Sequence, residues 1–450
     1  MKRRLLTTII IALLIVLLIS RFSASYINSD INNLTYVVAI GIDKSNQDGF
    51  LQVSFEFTDI SSFGSKNSSS SSSKPIIDTV TAPSIDASIN LINSYIGKKV
   101  ELSHCKVIVF SEELAKDSIQ DEVGSLINTP SIRPTTNIIV STSSAKDYIE
   151  NSISSLEKVL TKYYDIFPNS SQYTGYTSNV ILGDFYDDFK DSSIGCTAIL
   201  GGVNMSSVKE KAKDSSSSSG DSGSSSSTGM ENGSNSSDNT NTSSNNTSTT
   251  SPQISEVLPQ NISAGKSSIT GERGTENIGL AVFSDYKYVG NLTALETLCH
   301  SILNCEVDTF VYTIEDPKNL GTYIDFNLVK SSPPKIKVNI VDNVPNITID
   351  IKISGRILSL SPNSDYTRED TLNTLSNQVS ESLKSNFNDY VNKVSRDYKV
   401  DIDSFYKIAK KNFKTTSEWK NFDWKAKFTN SSFNINIDAS IVSSSLVSGS

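Results

Sequence analysis

The sequence ITIDIKI, residues 347–353, carries an isoleucine at every second position with a polar or charged residue between. This alternation is typical of a β-strand with one buried face, because successive side chains point to opposite sides of a sheet. Two similar series precede it, YIDFNL at residues 323–328 and KIKVNI at residues 335–340, and turn residues separate the three. The pattern predicts three antiparallel strands that bury one common face.

Two helices and a last strand complete this C-terminal region. Apolar residues recur at helical spacing from Leu372 to Val394, and the sequence TRED at residues 367–370 resembles a capping box, so a long helix is predicted from there to Arg396. A shorter helix is predicted over residues 402–413, and alternation over residues 433–441 predicts the last strand. A sheet packed on helices makes an α+β unit, which we assign to residues 306–450.

The N-terminal half mixes strands and helices. TYVVAIGI at residues 35–42 predicts a buried strand, and LQVSFEF at residues 51–57 predicts a half-buried one that forms a hairpin with it. Helical spacing follows Ser84, with Gly97 as the stop, and returns from Ala145 onward. We expect a mixed α+β domain over residues 26–165.

A Ser/Asn-rich tract interrupts the next region. Residues 214–250 contain one large apolar residue, Met230, and no aromatic residue, so they cannot bury a core. Strand-like sequences flank the tract at residues 198–203 and 278–283. We therefore expect a middle domain over residues 166–305, interrupted by a disordered low-complexity insertion over 206–270. The alternative is that the tract is a boundary between two domains.

The N-terminus predicts export. Three basic residues follow Met1, and residues 5–19 are then apolar and uncharged, so residues 1–25 read as a signal or membrane anchor with the basic cluster in the cytoplasm. The run reaches about 22 Å as a helix, which is short for a membrane span. Cleavage after Ser25 and retention as a signal anchor are both open, and we favour retention. The first cysteine is Cys105, so no lipid-accepting cysteine follows the run.

The composition argues against several classes of protein. The formal net charge is −9, and no basic block follows the N-terminus, so a nucleic-acid-binding surface is not expected. Only two histidines and four cysteines are present, and no nucleophile elbow, phosphate loop or metal-ligand spacing is found. We predict no catalytic residue, no metal site, no cofactor and no enzymatic activity. Cys299 and Cys305 either form a small disulfide or remain free thiols.

Three residues are candidate interface residues. Arg133 precedes Pro134 in a turn, where its guanidinium would pair with a carboxylate either within the domain or at a subunit interface. Trp419 and Trp424 stand in the aromatic and lysine-rich sequence EWKNFDWKAKF. They either pack beneath the sheet or face a membrane or a partner protein.

Several separated stretches give the chain a resemblance to a known family. It resembles the Ger(x)C family, the C subunits of spore germinant receptors. The stretches that carry the resemblance are AIGIDKSNQDGFLQVSFEF (39–57), LSHCKVIVFSEELAKDSI (102–119), TPSIRPTTNIIVSTSSAKDYIE (129–150), IGLAVFSDYKYVGNLTALET (278–297) and VDIDSFYKIAKKNF with both tryptophans (400–424).

The resemblance implies a three-domain mixed α/β protein on the outer face of the spore inner membrane. Its expected partners are the membrane and two membrane-embedded receptor subunits, one of them transporter-like. Members of the family usually carry a lipidated cysteine after the signal, which this chain lacks, so anchoring is expected through the N-terminal segment. We expect a role in nutrient-triggered germination by assembly or signal coupling. The alternatives are a module that itself binds the nutrient and an exported structural or adhesive surface protein.

Overall fold

The computed structural model describes residue 13 and residues 33–58, 76–152, 160–190, 194–204, 261–271, 273–360 and 366–442. The predicted anchor, residues 1–25, lies outside the described residues except for Leu13. Most of the predicted insertion, residues 206–260, also lies outside them. Among the helices that the structure does describe, none combines the length and apolar character needed to span a bilayer.

Within the described residues, nine strands form a first sheet. These strands, β1 to β9, are Leu34–Lys44, Leu51–Phe57, Ile76–Ala82, Lys99–Glu101, Val107–Ser111, Asn137–Ser141, Cys196–Val203, Thr275–Ser284 and Lys287–Leu292. Their order is β3-β2-β1-β5-β6-β7-β8-β9, with β4 beside the start of β1. The central strands β1, β5, β6 and β7 are parallel, and the outer pairs are antiparallel.

Helices cover both faces of the first sheet. In chain order, α1 to α7 are Ile85–Ile96, Glu112–Asp117, Gln120–Asn128, Ala145–Asn151, Leu160–Ile166, Ser171–Thr174 and Leu182–Lys190. One core lies under α1, α2, α3 and α7, and a second lies under α4 and α5. The predicted N-cap Ser84 and stop Gly97 of α1 are confirmed, since Ser84 Oγ accepts from Ala87 N and Gly97 adopts a left-handed conformation.

The prediction of a half-buried strand over residues 51–57 is wrong. Ser54 and Glu56 are as buried as their apolar neighbours, because helices cover the sheet on both faces. Glu56 Oε2 accepts a hydrogen bond from Tyr164 of α5 at 3.0 Å, whereas Oε1 has no partner among the described residues. Burial raises the pKa of Glu56 to about 8, although the hydrogen bond from Tyr164 opposes the shift.

The second sheet confirms the three predicted antiparallel strands. Its strands, β10 to β14, are Thr309–Glu315, Tyr323–Lys330, Lys335–Val341, Val344–Ser359 and Ser432–Val442. Strand β13 pairs antiparallel with β11 and β12 on one side and parallel with β14 on the other. The helices of this region, α8 to α12, are Ala294–Leu303, Glu369–Asn392, Phe405–Ala409, Thr416–Phe422 and Trp424–Phe428.

The predicted C-terminal helices are shorter than the sequence pattern indicated. Helix α9 begins at Glu369 with Arg368 as its N-cap residue, one position after the predicted cap Thr367, and the Arg368 side chain makes no capping bond and pairs with Asp370 at 2.9 Å. The helix ends at Asn392 and continues as a π-helical turn. The helix predicted over residues 402–413 is α10 followed by a 3₁₀ turn.

These elements give a mixed α/β protein with two sheets packed against helices, as the sequence predicted. Strands β7 and β8, which flank the insertion, are antiparallel neighbours. Asn204 N donates to Gly274 O at 2.6 Å, so residues on the two sides of the predicted insertion meet where β7 ends and β8 begins. The first sheet draws strands from both 26–165 and 166–305, and the division into domains stays a prediction.

Candidate functional site

Strand β8 lies between two hydrophobic cores and contributes side chains to both. Leu280 and Val282 belong to the core of the second sheet, whereas Ala281 and Phe283 belong to a core of the first. Because side chains alternate across a strand, each face of β8 supplies one core. A displacement of this strand would therefore disturb the packing of both sheets.

Helix α8 lies between β8 and the long helix α9. Thr293 and Glu296 form a capping box at its start. Glu296 also accepts a salt bridge from Lys393 Nζ at 2.7 Å, which ties the start of α8 to the end of α9. Almost every residue of α8 is buried, because β8, β9 and α9 pack around the helix.

A buried polar cluster, the His300 cluster, holds α8 to the C-terminal region. Its members are His300, Asn304, Tyr390 and Asp403. Asp403 Oδ1 lies 2.9 Å from His300 Nδ1 and accepts from Asn304 Nδ2 at 3.1 Å, and the Tyr390 hydroxyl donates to Asp403 at 2.9 Å. Burial lowers the pKa of His300, but the hydrogen bond and charge of Asp403 outweigh it, so the pKa lies above its usual value.

A second buried carboxylate, Asp401, organises the adjacent segment. It accepts hydrogen bonds from the amides of Phe405 at 3.1 Å and Tyr406 at 2.8 Å, and from Trp424 Nε1 at 3.0 Å. Burial raises the pKa of Asp401 to about 7, and these hydrogen bonds oppose the shift. The backbone oxygen of Asp401 accepts from Gly195 N at 3.0 Å, which connects the segment to the first sheet.

We call this contact the joint: β8, β9 and Gly195 on one side, and α8, α9 and residues 398–403 on the other. The Tyr398 hydroxyl donates to the backbone oxygen of Asn291 in β9 at 2.7 Å. A Cβ atom at Gly195 would overlap Val400 Cγ2 and lie 2.6 Å from the backbone oxygen of Phe283. The two sides of the joint thus approach so closely that a methyl group does not fit.

The chain crosses from one face of the first sheet to the other through residues 167–181, which we call the crossing segment. It passes the edge where the parallel strands β5 and β6 begin. Asn137, the first residue of β6, donates from Nδ2 to Asn179 Oδ1 at 2.8 Å and to Val180 O at 3.0 Å, and it also forms a bridge with Ile181.

The crossing segment also contacts β8 and the loop that follows α8. Ser178 Oγ donates to Glu306 Oε2 at 2.7 Å, and the Tyr176 carbonyl accepts from Gly279 N of β8 at 2.7 Å. Val180 packs against all three hydrophobic cores. Movement of this segment would therefore reach both sheets.

An open cleft of about 370 Å³ lies between the crossing segment and the edge where β5 and β6 begin. Polar side chains dominate its lining. The lining residues are Ser103, Cys105, Lys106, Arg133, Thr135, Asn137, Asp165, Pro168, Asn169, Asn179 and Ile181.

Arg133, one of the three predicted interface residues, is exposed and lines this cleft. Its guanidinium makes no ion pair or hydrogen bond with any residue that the structure describes. The intradomain carboxylate that the sequence offered as one alternative is therefore not found within the described part of the chain. The other alternative, a contact at a subunit interface, stays a prediction.

Trp419 and Trp424, the other two candidates, are 8% and 3% exposed and lie in the core of the second sheet. Trp419 packs near Phe422, with ring centroids 6.3 Å apart, and Trp424 packs near Phe428 at 5.6 Å. Packing beneath the sheet accounts for both rings. A partner contact at these residues stays a prediction, and the buried rings offer little surface for it.

Sequence reasoning missed the residues that form the joint and most of the cleft. Asp401 and Asp403 alternate with apolar residues just before α10, and this was the available signal for two carboxylates turned into a core. Asn137 and Asn179 carry no such signal, because they are 42 positions apart and meet only through the crossing segment.

The described residues contain no group of histidine, cysteine and carboxylate side chains arranged for a metal ion. All four cysteines fall within the described residues and are free thiols. Cys299 is buried and Cys305 is exposed, so the structure shows the free-thiol alternative for this pair.

Comparisons with known proteins cover both parts of the chain. A family model described as "Spore germination protein N-terminal domain" matches residues 28–205, and one described as "Spore germination B3/ GerAC like, C-terminal" matches residues 278–445. A solved structure, "Crystal Structure of the GerBC protein", is similar at 16% sequence identity and a TM-score of 0.49, covering 90% of this chain and 96% of that chain. No curated protein matches the chain.

Proposed function

The chain belongs to the Ger(x)C family of spore germination proteins, and we propose that it is an extracytoplasmic, membrane-anchored subunit of a nutrient germinant receptor. The observation that carries the proposal is the pair of family matches, which together cover most of the chain. In this role the protein lies on the outer face of the spore inner membrane. Its partners are a transporter-like subunit and a second multi-pass subunit.

The proposed mechanism is assembly and signal coupling through protein contacts, without catalysis and without a cofactor. A nutrient sensed at a membrane subunit shifts a conformational equilibrium in which this chain takes part. The chain transmits only as much free energy as its contacts differ between the two states. The buried joint supports this mechanism, because β8 supplies both cores and links any movement of one sheet to the other.

Anchoring is proposed to depend on residues 1–25. The first cysteine is Cys105, which lies at the entrance to a strand and is buried, so a lipid on a cysteine directly after the apolar run is not available. Retention of the apolar run would hold the chain at the membrane with its two sheets outside the cytoplasm.

The direct test is germination of spores that lack this chain. Loss of optical density is followed in nutrient mixtures and, separately, with a trigger that bypasses the receptors. We expect the nutrient response to be lost and the bypass response to be retained, and re-expression of the chain to restore the former. A normal response to every nutrient mixture would count against the receptor role.

The same spores separate the proposal from an exported structural or adhesive protein. A structural protein would change both responses or the integrity of the spore, since it does not act between the nutrient and the release machinery. Expression outside sporulating cells would also favour that alternative. The remaining alternative, direct binding of a small molecule, concerns the cleft.

A further inference from the structure

The charges in the cleft are unbalanced. Lys106 Nζ contacts Asp165 Oδ1 at 2.8 Å, so this pair is neutral as a unit. Arg133 is the other charged residue in the lining, and no described residue pairs with it. The cleft therefore carries one positive charge that the described protein does not neutralise. A planar guanidinium presents paired N–H donors that match the two oxygens of a carboxylate.

The neutral part of the lining can form hydrogen bonds with a ligand. Asn169, Asn179 and Thr135 are exposed in the cleft. Asn137 is fixed by its bonds to Asn179 and Val180, so these two asparagine side chains are held in place before any ligand arrives. Holding Asn179 in place lowers the entropic cost of binding, because this side chain need not be immobilised by the ligand.

The size of the cleft suits a small molecule. Its volume of about 370 Å³ lies at the lower end of the range of about 300 to 1,000 Å³ that is usual for such sites. Pro168 and Ile181 supply apolar surface beside the polar groups. The combination of a modest volume, fixed polar groups and one unmatched cation is that of a site for a compact polar anion.

We propose that this cleft binds a small organic carboxylate that also carries hydroxyl or amide groups. Arg133 takes the carboxylate, and the side chains of Thr135, Asn169 and Asn179 take the neutral polar groups. The site lies where the parallel strands β5 and β6 begin, and the crossing segment forms one wall of it.

The crossing segment connects the proposed site to the joint, because it lines the cleft and also contacts β8. Asn179 and Ile181 line the cleft, whereas Ser178 and Tyr176 of the same segment contact Glu306 and β8. A ligand that immobilises the crossing segment would stabilise these contacts. This consequence rests on the proposed receptor function, but the binding itself does not, and it can be measured without germination.

Binding is tested with the purified full chain in a non-ionic detergent by titration calorimetry. The probes are two matched pairs: D-gluconate with D-sorbitol, and L-lactate with L-lactamide. Each pair differs mainly in whether a carboxylate is present. We expect at least one carboxylate to bind, and its neutral counterpart to bind at least about tenfold more weakly.

Variants locate the site. Arg133→Gln removes the charge without disturbing a described contact, and we expect it to weaken binding of the carboxylate about tenfold or more. Arg368→Gln is the matched control, because Arg368 is an exposed arginine in the C-terminal region that pairs only with its neighbour Asp370 in the described residues. We expect this control to bind as the wild type does.

Three outcomes would overturn the proposal. One is that neither carboxylate binds at concentrations up to about 10 mM. Another is that the neutral and charged probes bind equally. The third is that Arg133→Gln binds as the control does. If Arg133→Gln impairs germination while no carboxylate binds, the cleft contacts an acidic group of a partner protein and not a small ligand, whereas the receptor role would stand.

Discussion

The crossing segment contacts β8 of the joint and forms one wall of the cleft, but the joint and the cleft differ in how their charged groups are satisfied. In the joint, Asp401 and Asp403 are buried, and each accepts hydrogen bonds from three groups of the protein. In the cleft, Arg133 is exposed and has no partner among the described residues. The charges of the joint are therefore used to hold the two sheets together, whereas the charge of the cleft is available to another molecule.

The most severe way to break the joint is Gly195→Ala. The added Cβ would overlap Val400 Cγ2 and lie 2.6 Å from the backbone oxygen of Phe283, and that oxygen cannot move without disturbing β8. We expect the free energy of unfolding to fall by about 3 kcal/mol, measured by urea denaturation of the full chain in detergent.

The matched control for this variant is Gly124→Ala. No atom lies within 4 Å of a Cβ added at Gly124, which is in helix α3. Alanine in a helix is better tolerated than glycine by about 0.5 to 1 kcal/mol, so we expect a small gain in stability. Equal stability of the two variants would mean that the joint is not closely packed.

A smaller loss is expected from Asp403→Asn, which removes the charge at the centre of the His300 cluster. Losing hydrogen bonds to a buried charged group should lower the free energy of unfolding by about 2 kcal/mol at pH 6. The pKa of His300 lies above its usual value of 6.5 in the folded chain, so the stability from its protonation is present below pH 6.5. This stability is lost as the pH rises through the folded-state pKa.

The variant should therefore differ most from the wild type at low pH, and the difference should shrink as the pH rises. Denaturation curves of both chains across pH 6 to 9 provide the measurement. A loss that stays constant over this range would show that Asp403 does not raise the pKa of His300.

Glu56→Gln tests a buried carboxyl that lies outside both the joint and the cleft lining. Burial raises its pKa from 4.5 to about 8, so the folded state binds a proton more tightly than the unfolded state. Wild-type stability should then fall as the pH rises from about 4.5 to about 8. The glutamine should match the wild type at pH 4 and exceed it by roughly 4 kcal/mol at pH 8, because about 3.5 pKa units separate the folded and unfolded states. A variant less stable than the wild type at pH 8 would contradict this.

The smallest effect is expected from Arg133→Gln in the cleft. The guanidinium is exposed and contacts no described partner, so its loss should change the free energy of unfolding by less than about 0.5 kcal/mol. The same denaturation assay measures it. A loss above 1 kcal/mol would place Arg133 among the structural residues and remove the difference between cleft and joint.

Alternating sequence patterns predicted the strands well. ITIDIKI became the central part of β13, and the neighbouring series became its partners β11 and β12, because a single buried face leaves a period of two in the sequence. The same rule failed for LQVSFEF. There a second layer of helices buries Ser54 and Glu56. The sequence of one strand does not show whether helices cover its polar face.

The site was less predictable than the strands. Arg133 was identified as a candidate from its turn, but the asparagines beside it come from segments far away in the sequence and meet only in the fold. The joint was not predicted, because its carboxylates are ordinary acidic residues until the packing of α8 and β8 encloses them. Trp424 illustrates the same point, since its ring is held by Asp401 at a distance of 23 residues along the chain.

Germination of spores that carry Asp403→Asn or Glu56→Gln shows whether the joint transmits the nutrient signal. Both variants replace a buried carboxyl with an amide, but only Asp403 lies in the joint. Levels of the chain are matched by immunoblot, and a bypass trigger controls for spore viability. We predict that Asp403→Asn spores respond slowly or weakly to nutrients, while Glu56→Gln spores respond as the wild type does. Normal nutrient germination of Asp403→Asn spores at wild-type levels of the chain would contradict this role of the joint.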